Sequence, residues 1–262
     1  GNNSIDMNSK HYLIDFKYAD INGDGLQDMI YVSSYAKVKK KLFRKPKMTG
    51  HQDVHIMMNA GNGFVHGETT RYTDTHNHPL KPHVIDYNAD GHQDMLIFSE
   101  SREWELYLAI AEGEGSWSLE RQYGVNLPFD NQEISFADIN ADGLADAFDG
   151  QHYWLLERDP SQPASSNRAY RFGARQTISC GNCDSTTEAK SAAGDFNGDG
   201  IADFMISQYR EIILGMKIYS YHLIVSDLGS GQLNYRKLNN RMGIAIGLSD
   251  YELFRPVDIN TD

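Results

Sequence analysis

The sequence predicts an all-β fold, a β-propeller of four-stranded blades, and three observations carry that prediction. A nine-residue acidic motif starts at Asp20, Asp86, Asp138 and Asp195, and a cut-off fifth copy, DINTD, runs from Asp258 to Asp262. The motif starts lie 66, 52, 57 and 63 residues apart, a period that suits a propeller blade better than a helical solenoid. Short apolar runs flank each copy and a glycine-broken, β-rich segment follows it, while no segment sustains a helical period.

The elements follow in order. In the first repeat DINGDGLQD is followed at once by Met29-Ile30-Tyr31-Val32, and HIMMNAGNGFV then reads as a hairpin. The second repeat has Val84-Ile85 before DYNADGHQD, Met95-Leu96-Ile97-Phe98 after it, and the hairpin LYLAIAEGEGSWSL. In the third, Ile134-Ser135-Phe136 precedes DINADGLAD, and YWLLERDPSQPASSNRAYRF is a looser hairpin. The fourth places Phe204-Met205-Ile206 after DFNGDGIAD and ends in HLIVSDLGSGQLNY. Residues 1–262 are therefore expected to form a single propeller region of four blades plus the first strand of a fifth. Because the chain stops inside a motif, the region is expected to be part of a larger propeller.

The motif spacing has a chemical reading. Asp, Asn and Asp at positions 1, 3 and 5 direct hard oxygen donors into a tight turn, and glycine at position 6 permits the bend. The carbonyl at position 7 turns inward and Asp at position 9 completes the shell. Calcium accepts six to eight such oxygens with loose geometry, whereas magnesium demands a stricter octahedron. An EF-hand requires Glu at position 12, where this chain has Tyr31, Ile97, Asp149 and Ile206, and it requires flanking helices where these flanks read as strands. A set of Asx turns without metal is the plainer alternative for any single copy.

These copies resemble the calcium loops of FG-GAP and VCBS repeats, found in integrin α-subunit propellers and many bacterial surface or secreted proteins. The resemblance implies about four structural calcium ions, at loops 20–28, 86–94, 138–146 and 195–203. Carried over position by position, it implies side-chain ligands at Asp20, Asn22, Asp24 and Asp28, with the carbonyl of Leu26. The second set is Asp86, Asn88, Asp90 and Asp94 with the carbonyl of His92, and the third is Asp138, Asn140, Asp142 and Asp146 with that of Leu144. The fourth is Asp195, Asn197, Asp199 and Asp203 with that of Ile201. The fifth, 258–262, keeps Asp258, Asn260 and Asp262 but lacks the glycine and the ninth-position Asp. Residues 88–117 are also similar to blades near the front of RHS-type and insecticidal-toxin B-component proteins. No copy carries a clear Phe-Gly followed by Gly-Ala-Pro, so the chain departs from an integrin proper. In the resembled proteins the calcium serves the fold, and metal binding is coupled to blade closure.

Composition narrows the function classes. The formal charge of -12 argues against general affinity for nucleic acid, and the four complete motifs, with three aspartates each, hold much of that acidity. No apolar run approaches the roughly 20 residues of a membrane span. Cys180 and Cys183 form CGNC, which without a βαβ pattern reads as a tight loop, either with free thiols or closed by a local disulfide outside the cytoplasm.

In a four-stranded meander the 1–2 and 3–4 turns share one face, and the 2–3 turns and blade connections share the other. KVKKKLFRKPK, Lys37 to Lys47, reads as a 2–3 connection outside any strand, with seven cationic residues in eleven. HNHPLKPH, His76 to His83, and the CGNC loop read as blade connections. All three are expected opposite the calcium loops, where a protein or glycan ligand would bind. The basic stretch suits an anionic partner or a solvated insertion, and His76, His78 and His83 suit a transition-metal site or an ordinary loop. Trp104, Trp117 and Trp154 read as blade packing.

The expected function is a calcium-stabilised binding or scaffold module of a secreted or cell-surface protein, with an extracellular, cell-surface or periplasmic location. A bacterial toxin or adhesin is one setting for it. With no nucleophile motif in view, no enzyme activity is expected. The alternative is a calcium-dependent carbohydrate-active enzyme of the polysaccharide-lyase kind built on a propeller.

Overall fold

The structure, a computed structural model, describes residues 9–41, 44–73, 80–98, 103–113, 116–130, 134–177, 190–196, 198, 200–211, 217–227, 232–237 and 244–245. The chain divides into two compact units, Gly1–Asn126 and Leu127–Asp262. The fifth motif and the CGNC pair lie outside the described residues, as do Leu42, Phe43, His76, His78, Asn197 and Asp199.

The first unit holds two four-stranded antiparallel meanders. One runs β1 (Ser9–Ala19), β2 (Asp28–Lys41), β3 (Arg44–Asn59) and β4 (Phe64–Thr73), each beside the next. The other runs β5 (Pro82–Ile85), β6 (Asp94–Phe98), β7 (Trp104–Gly113) and β8 (Ser116–Gln122) in the same way. The alternation in β3 explains the register. Gln52, Val54, Ile56 and Met58 are buried on one face, while His51, Asp53 and His55 share the other. Ile30 and Val32 pair with Ile56 and Val54 and join Leu80, Met95, Ile97 and Ala109 in one core. β6 buries Met95, Leu96 and Ile97 in succession, as a strand covered on both faces does. Leu80 anchors the link between the two meanders, its N–H donating to the buried Gln52 Oε1 at 2.9 Å.

The basic stretch corrects the sequence reading. Lys37 to Lys41 belong to β2 and Arg44 to Lys47 to β3, paired Lys37 with Thr49, Val38 with Met48 and Lys39 with Lys47. The ladder set by Ile30–Ile56 and Val32–Val54 continues outward, since each added pair gains backbone hydrogen bonds in a register already established. A cation count is therefore a poor marker of a loop here, since these residues pair in two strands.

The second unit repeats the meander with one departure. β9 (Ser135–Ala137), β10 (Asp146–Phe148) and β11 (His152–Trp154) pair in order. The strand sequence then breaks at Leu155. β12 (Leu156–Arg158) and β13 (Tyr170–Phe172) form a separate two-stranded ribbon, and β14 (Gln176–Thr177) supplies the fourth strand of the sheet. YWLLERDPSQPASSNRAYRF thus does contain a hairpin, Leu156–Arg158 against Tyr170–Phe172, but it does not supply the third and fourth strands of one sheet. The physical reason lies at the break, where the Leu156 N–H donates to buried Asp146 at 2.7 Å and the Leu155 carbonyl accepts from Gly173 at 2.8 Å. Phe129 packs edge-on against Trp154 and Phe172 beneath the ribbon, at 5.3 and 4.8 Å between ring centroids.

The last sheet runs β15 (Lys190–Gly194), β16 (Asp203–Glu211), β17 (Lys217–Asp227) and β18 (Gln232–Lys237), with β19 (Ile244–Ala245) also pairing with β17. Phe204 and Ile206 share a core with Ile139, Phe148 and Tyr153. The chain is thus all-β, built of antiparallel four-stranded meanders at the repeat period, an arrangement consistent with a propeller-like fold. Trp154 is buried, Trp104 packs on Phe98 and His83, and Trp117 lies against the first unit's core, so all three tryptophans pack as expected.

Candidate metal loops

Each acidic motif is the bend between the first two strands of its sheet. Asp20 follows β1 and Asp28 opens β2; Asp94, Asp146 and Asp203 likewise open β6, β10 and β16. The sixth-position glycines take left-handed backbone, with φ from +83° at Gly25 to +89° at Gly91. The fourth position is left-handed too, and there Ala89 (φ 56°) and Ala141 (φ 59°) accept it with a Cβ in place.

The side chains fold back onto the bend. In the first loop the Asp24 N–H donates to Asp20 Oδ1 at 3.0 Å and to Asn22 Oδ1 at 3.2 Å. The Gly25 N–H donates to Asp20 Oδ2 at 2.8 Å and the Leu26 N–H to Asp24 Oδ1 at 2.8 Å. The second loop repeats every one of these bonds, Asp90 to Asp86 and Asn88, Gly91 to Asp86, and His92 to Asp90. So does the third, Asp142 to Asp138 and Asn140, Gly143 to Asp138, and Leu144 to Asp142. In the fourth loop the Gly200 N–H donates to Asp195 Oδ2 at 2.8 Å. Positions 1, 3 and 5 therefore present their oxygens around one bend, with the fifth-position residues Asp24, Asp90 and Asp142 exposed.

The ninth-position aspartates behave differently. Asp28, Asp94, Asp146 and Asp203 are all 0% exposed. Their Oδ2 atoms accept from the second-position N–H groups of Ile21, Tyr87, Ile139 and Phe196, at 2.8 to 3.1 Å. In the first three, Oδ1 accepts from the strand ahead: Asn59 at 2.8 Å, Ala109 at 2.9 Å and Leu156 at 2.7 Å. Burial pushes the Asp94 and Asp146 carboxyls up to about 7 and raises Asp28, with the amide bonds opposing it and the carboxylates at positions 1 and 5 adding to it. Each of these three residues is a clasp between its loop and a later strand, β3, β7 and β12 in turn.

The donor chemistry of the loops fits a hard cation. Every donor side chain is a carboxylate or amide oxygen, the set calcium prefers, with no imidazole or thiolate among the donors. Among the described residues no group of three or more His, Cys, Asp or Glu side chains gathers at metal-ligand spacing, and the ninth carboxylate accepts from backbone amides. The ninth position thus has a structural role that the spacing alone did not reveal.

Two further polar clusters escaped the motif reading. Arg71 grips Asp53 through Nε and Nη2, both at 2.8 Å, beside His51, and the Arg71 hydrogen bonds hold the Asp53 carboxyl below its ordinary value. Period-two alternation in HQDVHIMM was the available signal, since it places His51, Asp53 and His55 on the face opposite Val54 and Ile56. The second cluster links β4 to β7. The Tyr72 and Tyr107 hydroxyls are 2.7 Å apart, both donate to Glu105 Oε2, and Arg121 holds Oε1 at 2.8 Å. Burial pushes the Tyr107 hydroxyl up to about 12 and raises Tyr72 as well, so both stay neutral donors at ordinary pH. Partners at such separations in sequence leave no local motif. Of the three histidines in the blade connection, His83 is described; it lies in β5 with its ring 5.4 Å from Trp104.

No curated protein matches the chain. Residues 20–97 and 86–148 each match the FG-GAP-like repeat family, beginning at the first residue of an acidic loop. The first repeats of the chain, over residues 20–148, are FG-GAP-like repeats.

Proposed function

We propose that the chain is a calcium-stabilised binding or scaffold module of a secreted or cell-surface protein, recognising a protein or glycan rather than catalysing a reaction. FG-GAP-like repeats suggest binding or scaffolding. The observation that carries the calcium reading is the identical bond pattern in three loops, which gathers the oxygens of Asp20, Asn22 and Asp24, and their counterparts, about one exposed bend. Calcium bound there would neutralise carboxylates that otherwise repel, and would stiffen the joint between the first two strands. The carbonyls of Leu26, His92, Leu144 and Ile201 would complete the shells with the ninth-position carboxylates.

In the first meander the loop 20–28 and the 3–4 turn lie at one end, where Asn59 Nδ2 donates to the Gln27 carbonyl at 3.1 Å. The tip of the β2–β3 hairpin, with its run of cations, lies at the other, and we assign the ligand surface to that end. The charge of -12 makes a nucleic-acid partner unsuitable, and the location that fits is extracellular, cell-surface or periplasmic. The test is calcium binding by calorimetry with melting in calcium and in chelator, alongside a glycan array and a polysaccharide-cleavage screen. About four bound ions and a chelator-sensitive melt are expected. Absence of calcium uptake would overturn the metal reading, and turnover of a polysaccharide would overturn the non-catalytic one.

A further inference from the structure

The first two loops touch. The imidazole of His92, at position 7 of the second loop, lies against Gly23, at position 4 of the first. A Cβ built on Gly23 would sit 2.7 Å from both Cε1 and Nδ1 of that ring. Gly23 stands between Asn22 and Asp24, whose side chains are joined by a 2.9 Å hydrogen bond from Nδ2 to Oδ2. On the other side, the His92 N–H donates to Asp90 Oδ1 at 2.9 Å, so the backbone of His92 follows the arrangement of the second loop. The position of the ring is therefore set by one loop and felt by the next. At Gly198, the fourth loop's counterpart of Gly23, a Cβ would meet nothing within 4 Å among the described residues. Position 7 elsewhere carries Leu26, Leu144 and Ile201, and the second loop alone places an imidazole there.

From this contact we infer that His92 couples the first two loops, so that calcium in one favours calcium in the other. The inference rests on the calcium reading of the loops. Its physical basis is reciprocal linkage: a shift of the His92 backbone on metal binding moves the ring that lies against Gly23, the residue between Asn22 and Asp24, and ordering that bend holds the ring in return.

The experiment uses the whole chain, labelled with nitrogen-15 and titrated with calcium from chelator. The amide N–H groups of Gly25, Gly91 and Gly143 donate to the first aspartate of their own loops at 2.8, 2.9 and 2.8 Å, so each resonance reports one loop. Asp90→Ala, which disables the second loop, is expected to raise the Gly25 midpoint about fivefold or more. With His92→Leu, the residue that loops one and three carry at this position, Gly91 still titrates because its carbonyl ligand remains. In that background Asp90→Ala no longer moves Gly25. His92→Gln is the second variant, which keeps a polar side chain and shortens the reach to Gly23. A Gly25 midpoint indifferent to Asp90→Ala, or a shift undiminished in both His92 variants, overturns the coupling while leaving calcium binding intact. Silence of all three glycines toward calcium overturns the calcium reading and the coupling with it.

Discussion

The N–H of Ala109, in the middle of β7, donates to Oδ1 of the buried Asp94 at 2.9 Å, fastening the end of an acidic loop to a strand fifteen residues away in sequence. The other oxygen of Asp94 takes the Tyr87 N–H at 2.8 Å. The same clasp recurs at Asp28 with Asn59 and at Asp146 with Leu156. An aspartate at position 9 therefore has a task in this fold, holding two backbone amides, that is separate from the cation ligation proposed for it.

Separating those tasks gives the first prediction. Asp94→Ala orphans two buried amide donors and should destabilise the first unit by about 1–3 kcal/mol in chelator as well as in calcium. Asp90→Ala removes an exposed fifth-position oxygen and should lower stability chiefly in calcium. Melting each variant in both conditions checks this; equal chelator melts for the two variants would contradict the clasp.

The third loop offers a second pair. Asp142 is a fifth-position oxygen, whereas Asp149 lies outside the nine-residue loop and caps the β10–β11 turn. Asp149 Oδ1 accepts from Gln151 at 2.8 Å and His152 at 2.7 Å. Spacing alone predicts that Asp142→Ala weakens this sheet much more than Asp149→Ala. The turn changes that expectation: Asp149→Ala should cost about 1 kcal/mol of stability with calcium affinity unchanged, and Asp142→Ala should reduce the affinity. Calorimetry and melting on both variants separate the two effects.

Gly23 supplies a third. Left-handed backbone strains a side chain at this loop position, a strain that Ala89 and Ala141 already carry. Gly23 has a second obstacle, the His92 ring, 2.7 Å from a Cβ there. Gly23→Ala should destabilise by about 1–3 kcal/mol through overpacking, and His92→Ala should relieve most of that loss. Gly198→Ala, with nothing within 4 Å among the described residues, should cost less. Denaturant melts of these variants in chelator provide the check.

The Asp53–Arg71 pair sets a pH dependence. The Arg71 hydrogen bonds lower the Asp53 carboxyl below its ordinary 3.8, so the folded state binds the proton less readily than the unfolded chain. The resulting stability is present above 3.8 and is lost as pH falls through the lower folded value. Asp53→Asn should therefore flatten the acid limb of the stability profile below that point. An acid limb of the same slope in the variant would show that the pair does not contribute.

Much of the loop architecture was legible in the sequence, because its determinants are local. Alternating Asp, Asn and Asp, with glycine at the sixth position, bring side-chain oxygens onto the amides two to five residues away, whatever surrounds the bend. The strands on either side followed from short apolar runs. What only the tertiary structure decided involves distant partners. Asp28 meets Asn59 across 31 residues, Asp53 meets Arg71 across 18, and Tyr72 meets Tyr107 across 35. The extension of β2 and β3 through the lysines depends on a register set by Ile30–Ile56 and Val32–Val54, far from the charges themselves. At Leu155 the buried Asp146 claims the Leu156 amide, and the strand divides there although its apolar pattern runs on. Local spacing determines how a bend closes on itself. Which buried amide a carboxylate then satisfies depends on what the fold brings beside it, since a buried oxygen without a donor is too costly to leave.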